Sequence, residues 1–275
     1  MRKIFMLCVV IGLAKTGTAQ YYYKDILSNK SIKAEMQAYR DNKIKQVKIK
    51  SYEKDGADAQ GFFCQKKITK DFSRVELLTK SATTSPSFFY SWFTPEGYVT
   101  RSTDSSEIAV TNTTYSYSGD NKLMSIISQS RSQDDDFVTE MREEHIYEYG
   151  SSKIPERMLR VKNHSDTTVV NFASDETGNI TVEKDSRTGT KYFYYYDGRG
   201  RLTDVVMTND LKTGFVPIYV FEYNSAGKVA QMTASEEGVR NYFIWKYTYE
   251  DGLRSKEKCF DRDRRLLGTI EYAYN

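Results

Sequence analysis

From residue 115 onward, pairs of aromatic residues two apart recur along this chain: Tyr115/Tyr117, Tyr147/Tyr149, Tyr194/Tyr196, Phe221/Tyr223, Tyr247/Tyr249 and Tyr272/Tyr274. Residues at i and i+2 share one face of a β-strand, whereas a helix sends them to opposite flanks. Each pair therefore marks one side of a sheet. Apart from the last pair, which ends the chain, each is followed by a short polar stretch and then another alternating segment. That order is the order of antiparallel hairpins.

The polar stretches carry turn chemistry. Tyr196 runs into Asp197-Gly198-Arg199-Gly200 and then Arg201-Leu202, Tyr223 into Asn224-Ser225-Ala226-Gly227 and then Lys228-Val229, and Tyr117 into Ser118-Gly119-Asp120-Asn121 and then Lys122-Leu123. Tyr249 leads to Asp251-Gly252, a pair that tolerates the positive φ of a two-residue hairpin. Ser174 to Ile180 reads as a degenerate copy, Trp92 to Val99 as an earlier one and Tyr52 to Gly56 as another. Further hairpin tips are expected near Asp71, Asp134 to Asp136, Asn163, Ser186 to Thr188, Asn209, Glu236 to Gly238 and Asp261 to Arg264. The tips imply about sixteen strands. Twist accumulates across strands, and open sheets beyond about ten curl or split. The expectation is an all-β fold: a long antiparallel meander of about sixteen strands in a strongly curved or rolled sheet.

One short N-terminal helix is predicted over Ser28 to Arg40. Ile32, Met36 and Tyr39 fall at i, i+4 and i+7, Ser28 can cap the first turn, and Asp41-Asn42 offers a stop. Its expected role is to cover an end of the sheet. No Pro- or Gly-rich linker interrupts the chain beyond the helix, so residues 43–275 read as one β domain behind a helical segment at 20–42.

The first nineteen residues read as a secretory signal. Arg2 and Lys3 precede an apolar run from Ile4 to Leu13, and small residues end at Ala19, ahead of Gln20. The apolar run is too short to span a bilayer, and the chain after it contains no stretch long enough to do so as a helix. Of the 40 basic residues, the signal carries Arg2, Lys3 and Lys15 and no acid, leaving 37 basic against 37 acidic ones. A chain so balanced has no bulk attraction for nucleic acid or anionic lipid. Export leaves Cys64 and Cys259, which could pair in an oxidising compartment or stand as two separate buried thiols.

The stretch Tyr196-Asp197-Gly198-Arg199-Gly200-Arg201-Leu202 resembles the core motif of the YD (RHS) repeat family, Tyr-Asp-x-x-Gly-Arg-Leu. Tyr223 to Val229, with Gly227, and Tyr117 to Leu123 are similar, with Asn or Ser for Asp and Lys for Arg; Tyr149, Tyr249 and Gly252 mark further repeats. The resemblance covers roughly the C-terminal 160 residues. It implies spiralling antiparallel sheets in exported bacterial proteins, and it implies no particular activity.

Catalytic constellations are sparse. The chain has two histidines: His145, on the strand face of Tyr147, and His164, in the hairpin tip Asn163-His164-Ser165-Asp166. Neither has metal-ligand spacing around it. Asp134-Asp135-Asp136 lacks the spacing of a calcium loop. Glu143 and Glu144 point to opposite strand faces and cannot serve one sugar together. Catalytic, cofactor-binding and metal residues are therefore assigned to none. The expected function is a non-enzymatic module at the cell envelope, periplasmic, cell-surface or secreted, binding a glycan, a peptide or an envelope protein, or serving a structural role. Two alternatives stand beside it: a carbohydrate-active hydrolase using carboxylates on the concave sheet face, and an outer-membrane β-barrel. The tyrosines themselves read first as cross-strand packing and second as stacking surfaces for sugar rings.

Overall fold

The computed structural model describes residues 20–133, 139–209, 212–235 and 241–275. The expected signal, with Cys8, and the tips at Asp134 to Asp136 and Glu236 to Gly238 lie outside them. The described residues form eighteen strands: β1 (Gln46–Glu53), β2 (Phe63–Ile68), β3 (Arg74–Ser81), β4 (Thr84–Phe93), β5 (Val99–Ser105), β6 (Ala109–Tyr117), β7 (Leu123–Ser132), β8 (Glu140–Tyr149), β9 (Pro155–Lys162), β10 (Asp166–Ser174), β11 (Ile180–Asp185), β12 (Lys191–Tyr196), β13 (Leu202–Asn209), β14 (Lys212–Tyr223), β15 (Val229–Ser235), β16 (Tyr242–Glu250), β17 (Leu253–Phe260) and β18 (Leu266–Tyr274). Each strand pairs antiparallel with the next, and β18 returns to β1 in register from Val47↔Tyr274 to Glu53↔Gly268.

The sheet is thus a closed eighteen-stranded barrel, which corrects the expectation of a rolled sheet of about sixteen strands. Closure removes both open edges. The two uncounted strands arise at two turns that use no glycine, asparagine or aspartate. At Ala82-Thr83 between β3 and β4, the Ser81 hydroxyl accepts from the Thr83 amide at 3.3 Å and bonds the Thr84 hydroxyl at 2.8 Å. Between β5 and β6, Ser106 Oγ accepts from the Ala109 amide at 3.3 Å. Hydroxyls make these turns, a weaker signal in sequence.

The repeat is a piece of interlocking chemistry. At the turn after Tyr196, the Asp197 carboxylate accepts from the amides of Arg199 and Arg201 at 2.9 and 3.0 Å, and Gly200 takes a φ of +72°. Arg201 Nε donates to Asp197 Oδ2 at 2.8 Å, and its guanidinium lies 4.4 Å from the Tyr223 ring of the next hairpin. Lys122 over Tyr149 and Lys228 over Tyr249 repeat that contact, each at 5.4 Å. Where the turn rejoins the sheet, the register shifts by a bulge at Tyr117, Tyr149, Tyr196, Tyr223 and Tyr249 alike. The hydroxyl of each of these tyrosines then donates to a carbonyl of the preceding hairpin: Val99, Leu123, Ile180, Leu202 and Val229, at 2.6–3.0 Å. Tyr274 does the same to Arg254 at 2.7 Å. Asp175 reproduces the turn without the tyrosine, accepting from the amides of Thr177 and Asn179. Asp251 and Gly252 both take positive φ, as a two-residue hairpin requires.

Alternation sends the first aromatic of each pair into the barrel. Tyr147, Tyr192 and Tyr194 are almost fully buried there, with Met158, Val170, Val205 and Phe221. A second cluster gathers Val47, Ile49, Cys64, Leu77 and Ile270 on the opposite wall. The outward positions between them carry charge: Lys48, Lys50, Lys246 and Lys258 are exposed, and Lys256 pairs with Glu271 across strands at 2.9 Å.

A helix joins the two clusters. It comprises a π-helical turn (Tyr22–Leu27) continuous with α1 (Ser28–Asp41) and lies across the barrel end that carries the Tyr-x-Tyr turns. Lys33 sits 3.6 Å from the Tyr98 ring, and Arg40 donates to the carbonyls of Thr94 and Pro95 in the β4–β5 turn. Met36 and Tyr39 are buried as expected, whereas Ile32 is 37% exposed. The α-helix begins at Ser28, as expected, but a π-helical turn precedes it. Ser28 makes no cap; its hydroxyl donates to the Tyr23 carbonyl, and the helix runs on toward its N-terminus into the lumen. The residue that ends it is Glu183, on a distant strand, which no local pattern could reveal.

Candidate functional site

The lumen-facing positions of β8 and β9 converge on the first turns of the helix. Glu143, His145 and Tyr147 alternate on one face of β8, and Arg160 and Lys162 lie opposite on β9. His145 Nδ1 bonds Asp25 Oδ2 at 2.6 Å and its Nε2 bonds Glu143 Oε1 at 2.8 Å. With a carboxylate on each nitrogen the ring must donate twice, so it is an imidazolium. Burial opposes that charge, but the Asp25 and Glu143 carboxylates outweigh it and hold the pKa at about 9. The hydrogen bond from His145 in turn pulls Glu143 down to about 2. Tyr147 donates to the same Asp25 oxygen at 2.7 Å, and Lys162 lies 3.3 Å from Glu143.

Beside this network stands a third carboxylate, of different character. Glu183 of β11 is fully buried and accepts from the amides of Tyr21 and Tyr22, at 3.0 Å each, and from the Tyr194 hydroxyl at 2.8 Å. Burial raises it to about 7, against those three donors. Arg160 donates to the Tyr21 hydroxyl and to Thr168. At the other end of the helix, Glu35 bonds Lys66 of β2 at 2.8 Å and accepts from Tyr39 at 2.5 Å. Arg254 pairs with Glu257 at 2.8 Å, and Tyr272 donates to the same carboxylate at 2.6 Å. Ion pairs on two walls thus fasten the helix in the barrel mouth.

Asp25 and Glu143 face each other across one imidazolium that both neutralise. Glu144 points the other way, to Arg142 at 2.9 Å and to the exposed His164. Among the described residues, no group of three or more His, Cys, Asp or Glu could hold a metal ion. Cys64 and Cys259 are free, buried thiols facing the lumen. Their strands are separated by β18 and β1, about 14 Å at ordinary strand spacing and beyond the reach of a disulfide.

The outer wall carries a different feature. On β4, Phe89, Ser91 and Phe93 face the core while Phe88, Tyr90 and Trp92 face out. These three half-buried rings form a row with centroid steps of 6.1 and 6.0 Å. Register places Arg74, Glu76 and Leu78 of β3 along one side and Arg101, Thr103 and Ser105 of β5 along the other. The Arg101 guanidinium lies 3.8 Å from the Trp92 ring, and that of Arg74 5.9 Å from Tyr90.

The repeat residues Tyr117, Tyr149, Tyr196, Asp197, Gly200, Arg201, Leu202, Tyr223, Gly227, Tyr249 and Gly252 lie together at the turns and bulges of one barrel end. Asp25, Glu183 and Arg160 carry no local sequence signal, because their partners lie more than 100 residues away. The one signal available was the spacing of Glu143, His145 and Tyr147 on a single strand face.

Fold and site together define a closed antiparallel β-barrel whose mouth is plugged by its own N-terminal helix. No family model matches the chain, and no curated protein matches it. Among solved structures, it is similar to a porin-like protein from Bacteroides uniformis, at 9% identity over 84% of this chain and 96% of that one, with a TM-score of 0.34. A porin-like protein from Bacteroides vulgatus is similar at 11% identity over 84% of this chain and 98% of that one (TM-score 0.30). The TcdB2-TccC3 structure is similar at 13% identity over 79% of this chain, which spans 15% of that one (TM-score 0.36).

Proposed function

We propose that this chain is an exported, non-enzymatic module of the cell envelope, built on YD-like repeats, that binds a glycan along the outer face of β4. The observation that carries the reading is the row Phe88, Tyr90, Trp92 between two polar strands. A pyranose has an apolar face and a hydroxyl rim. A row of rings flanked by Arg74 and Glu76 on one side and Arg101 and Thr103 on the other offers stacking to the face and hydrogen bonds to the rim. The plugged mouth favours the outer wall over the lumen as the working surface. The test is retention of the chain from Gln20 to Asn275 on insoluble envelope polysaccharide, with titration of soluble oligosaccharides. Binding that falls in Trp92→Ala and Tyr90→Ala supports the reading. Equal retention of wild type and variants overturns it.

A second reading, an outer-membrane barrel, draws on the even-numbered ring of nearest-neighbour strands and on an outward apolar arc through Ile127, Ile146, Leu159, Val169 and Phe193. Against it, Lys48, Lys50, Lys246 and Lys258 face outward on the arc from β16 to β1, where a lipid-facing band must be apolar. Fractionation into soluble or detergent-requiring material separates the two.

A further inference from the structure

Glu183 is a fully buried carboxylate, and its hydrogen-bond donors among the described residues are two amides and a phenol, none of them cationic. Burying a carboxylate without a counter-charge is costly, and proteins ordinarily pair it or protonate it. The amides on it belong to Tyr21 and Tyr22, so the next nitrogen along the chain is that of Gln20. Gln20 is itself 4% exposed, its carbonyl already accepts from Lys24 at 2.8 Å as the first turn of the helix, and its side-chain Oε1 is buried without a partner among the described residues. The chain therefore delivers residue 20 into the lumen beside an unneutralised acid.

We propose that the Glu183 pocket is a binding site for a primary ammonium, the α-ammonium of Gln20 set free by cleavage between Ala19 and Gln20. The inference rests on the reading of the chain as exported and processed at that bond. A signal peptidase and water supply the step: the Ala19–Gln20 amide C–N bond breaks, hydroxide goes to the Ala19 carbonyl carbon and a proton to the Gln20 nitrogen. The amine, with an ordinary pKa near 8, then takes a further proton from solvent. The new cation lies at the head of the amide pair that Glu183 already holds. Before cleavage the same nitrogen is a neutral amide, so processing itself installs the charge that locks the helix into the barrel. An ammonium held there is also withheld from attack on its own side-chain Cδ, the reaction by which an N-terminal glutamine expels ammonia and closes to a neutral lactam.

The experiment compares chains beginning at Gln20, released from a cleavable fusion, with chains carrying one additional Ala before it, each with Glu183 and with Glu183→Gln. The added residue is expected to lower Tm by roughly 5–10 °C in the Glu183 background and by little in the Glu183→Gln background. Equal losses in both backgrounds, or no loss in either, overturn the proposal. Should Glu183→Gln not fold, labelling of the α-amine with an amine-selective reagent near neutral pH reads the pocket in the wild type. Slow labelling when folded and fast labelling when unfolded supports the site, and equal rates overturn it. Intact mass of the exported protein reports separately on processing. A mass for another cleavage point refutes the export reading at this bond while the Gln20 chains still test the pocket, and complete loss of ammonia from a folded chain beginning at Gln20 refutes the pocket itself.

Discussion

The hydroxyl of Tyr196 donates to the main-chain carbonyl of Ile180 at 2.8 Å, sixteen residues back and one hairpin away. Tyr117, Tyr149, Tyr223, Tyr249 and Tyr274 make the same bond to their own preceding hairpins. Each tyrosine therefore joins two hairpins, and the series runs around one rim of the barrel. Removing such a hydroxyl leaves the ring packed but the carbonyl unpaired. Tyr196→Phe and Tyr223→Phe should each lower unfolding free energy by about 1 kcal/mol in urea denaturation. The two sites couple through Leu202, so the double variant should depart from additivity.

The imidazolium of His145 gives the plug a pH dependence of defined sign. Its folded pKa, about 9, exceeds the ordinary 6.5, so its contribution is complete below about pH 6.5 and is lost as pH rises through 9. Asp25→Asn should cost about 3 kcal/mol at neutral pH and flatten that alkaline decline, because it removes one of the two carboxylates that raise the group. Urea unfolding of both proteins across this range checks it; a parallel decline in the variant would refute the assignment.

Trp92 and Trp245 report on different places, the first on the outer wall and the second packed against the core. If the β4 row binds sugar, ligand should perturb the fluorescence of wild type and leave that of Trp92→Phe nearly unchanged. Trp92→Ala should weaken binding by about 1 kcal/mol, roughly fivefold in Kd.

Gly200 holds a φ of +72°, and the equivalent place in an earlier turn is held by Asn121 at +63°. Asparagine tolerates this conformation where β-branched residues do not. Gly200→Asn should therefore be nearly neutral, and Gly200→Val should cost about 2 kcal/mol, read from thermal melts.

Cys64 and Cys259 should remain unreactive in the folded protein, since burial pushes the Cys259 thiol up to about 12 and raises that of Cys64. Alkylation of both only after unfolding, with an intact mass unchanged by reductant, is the expected outcome.

The hairpin chemistry was legible in the residues themselves. Tyr-x-Tyr spacing assigns strand faces, and Asp197, Gly200 and Arg201 specify a turn, because each acts within a few residues of itself. The turns at Ala82-Thr83 and Ser106 to Ile108 were not legible, since a hydroxyl that makes a turn looks like any surface serine or threonine. Tertiary structure alone decided the rest. Closure depends on β1 meeting β18 across more than 200 residues, which accumulated twist and strand count settle together. Likewise, Asp25, His145 and Glu183 became a site only when the closed wall placed a buried charge opposite the helix. Local sequence chose the strands and turns because their energies are local. The barrel and its plug were chosen by burial and charge pairing between distant residues.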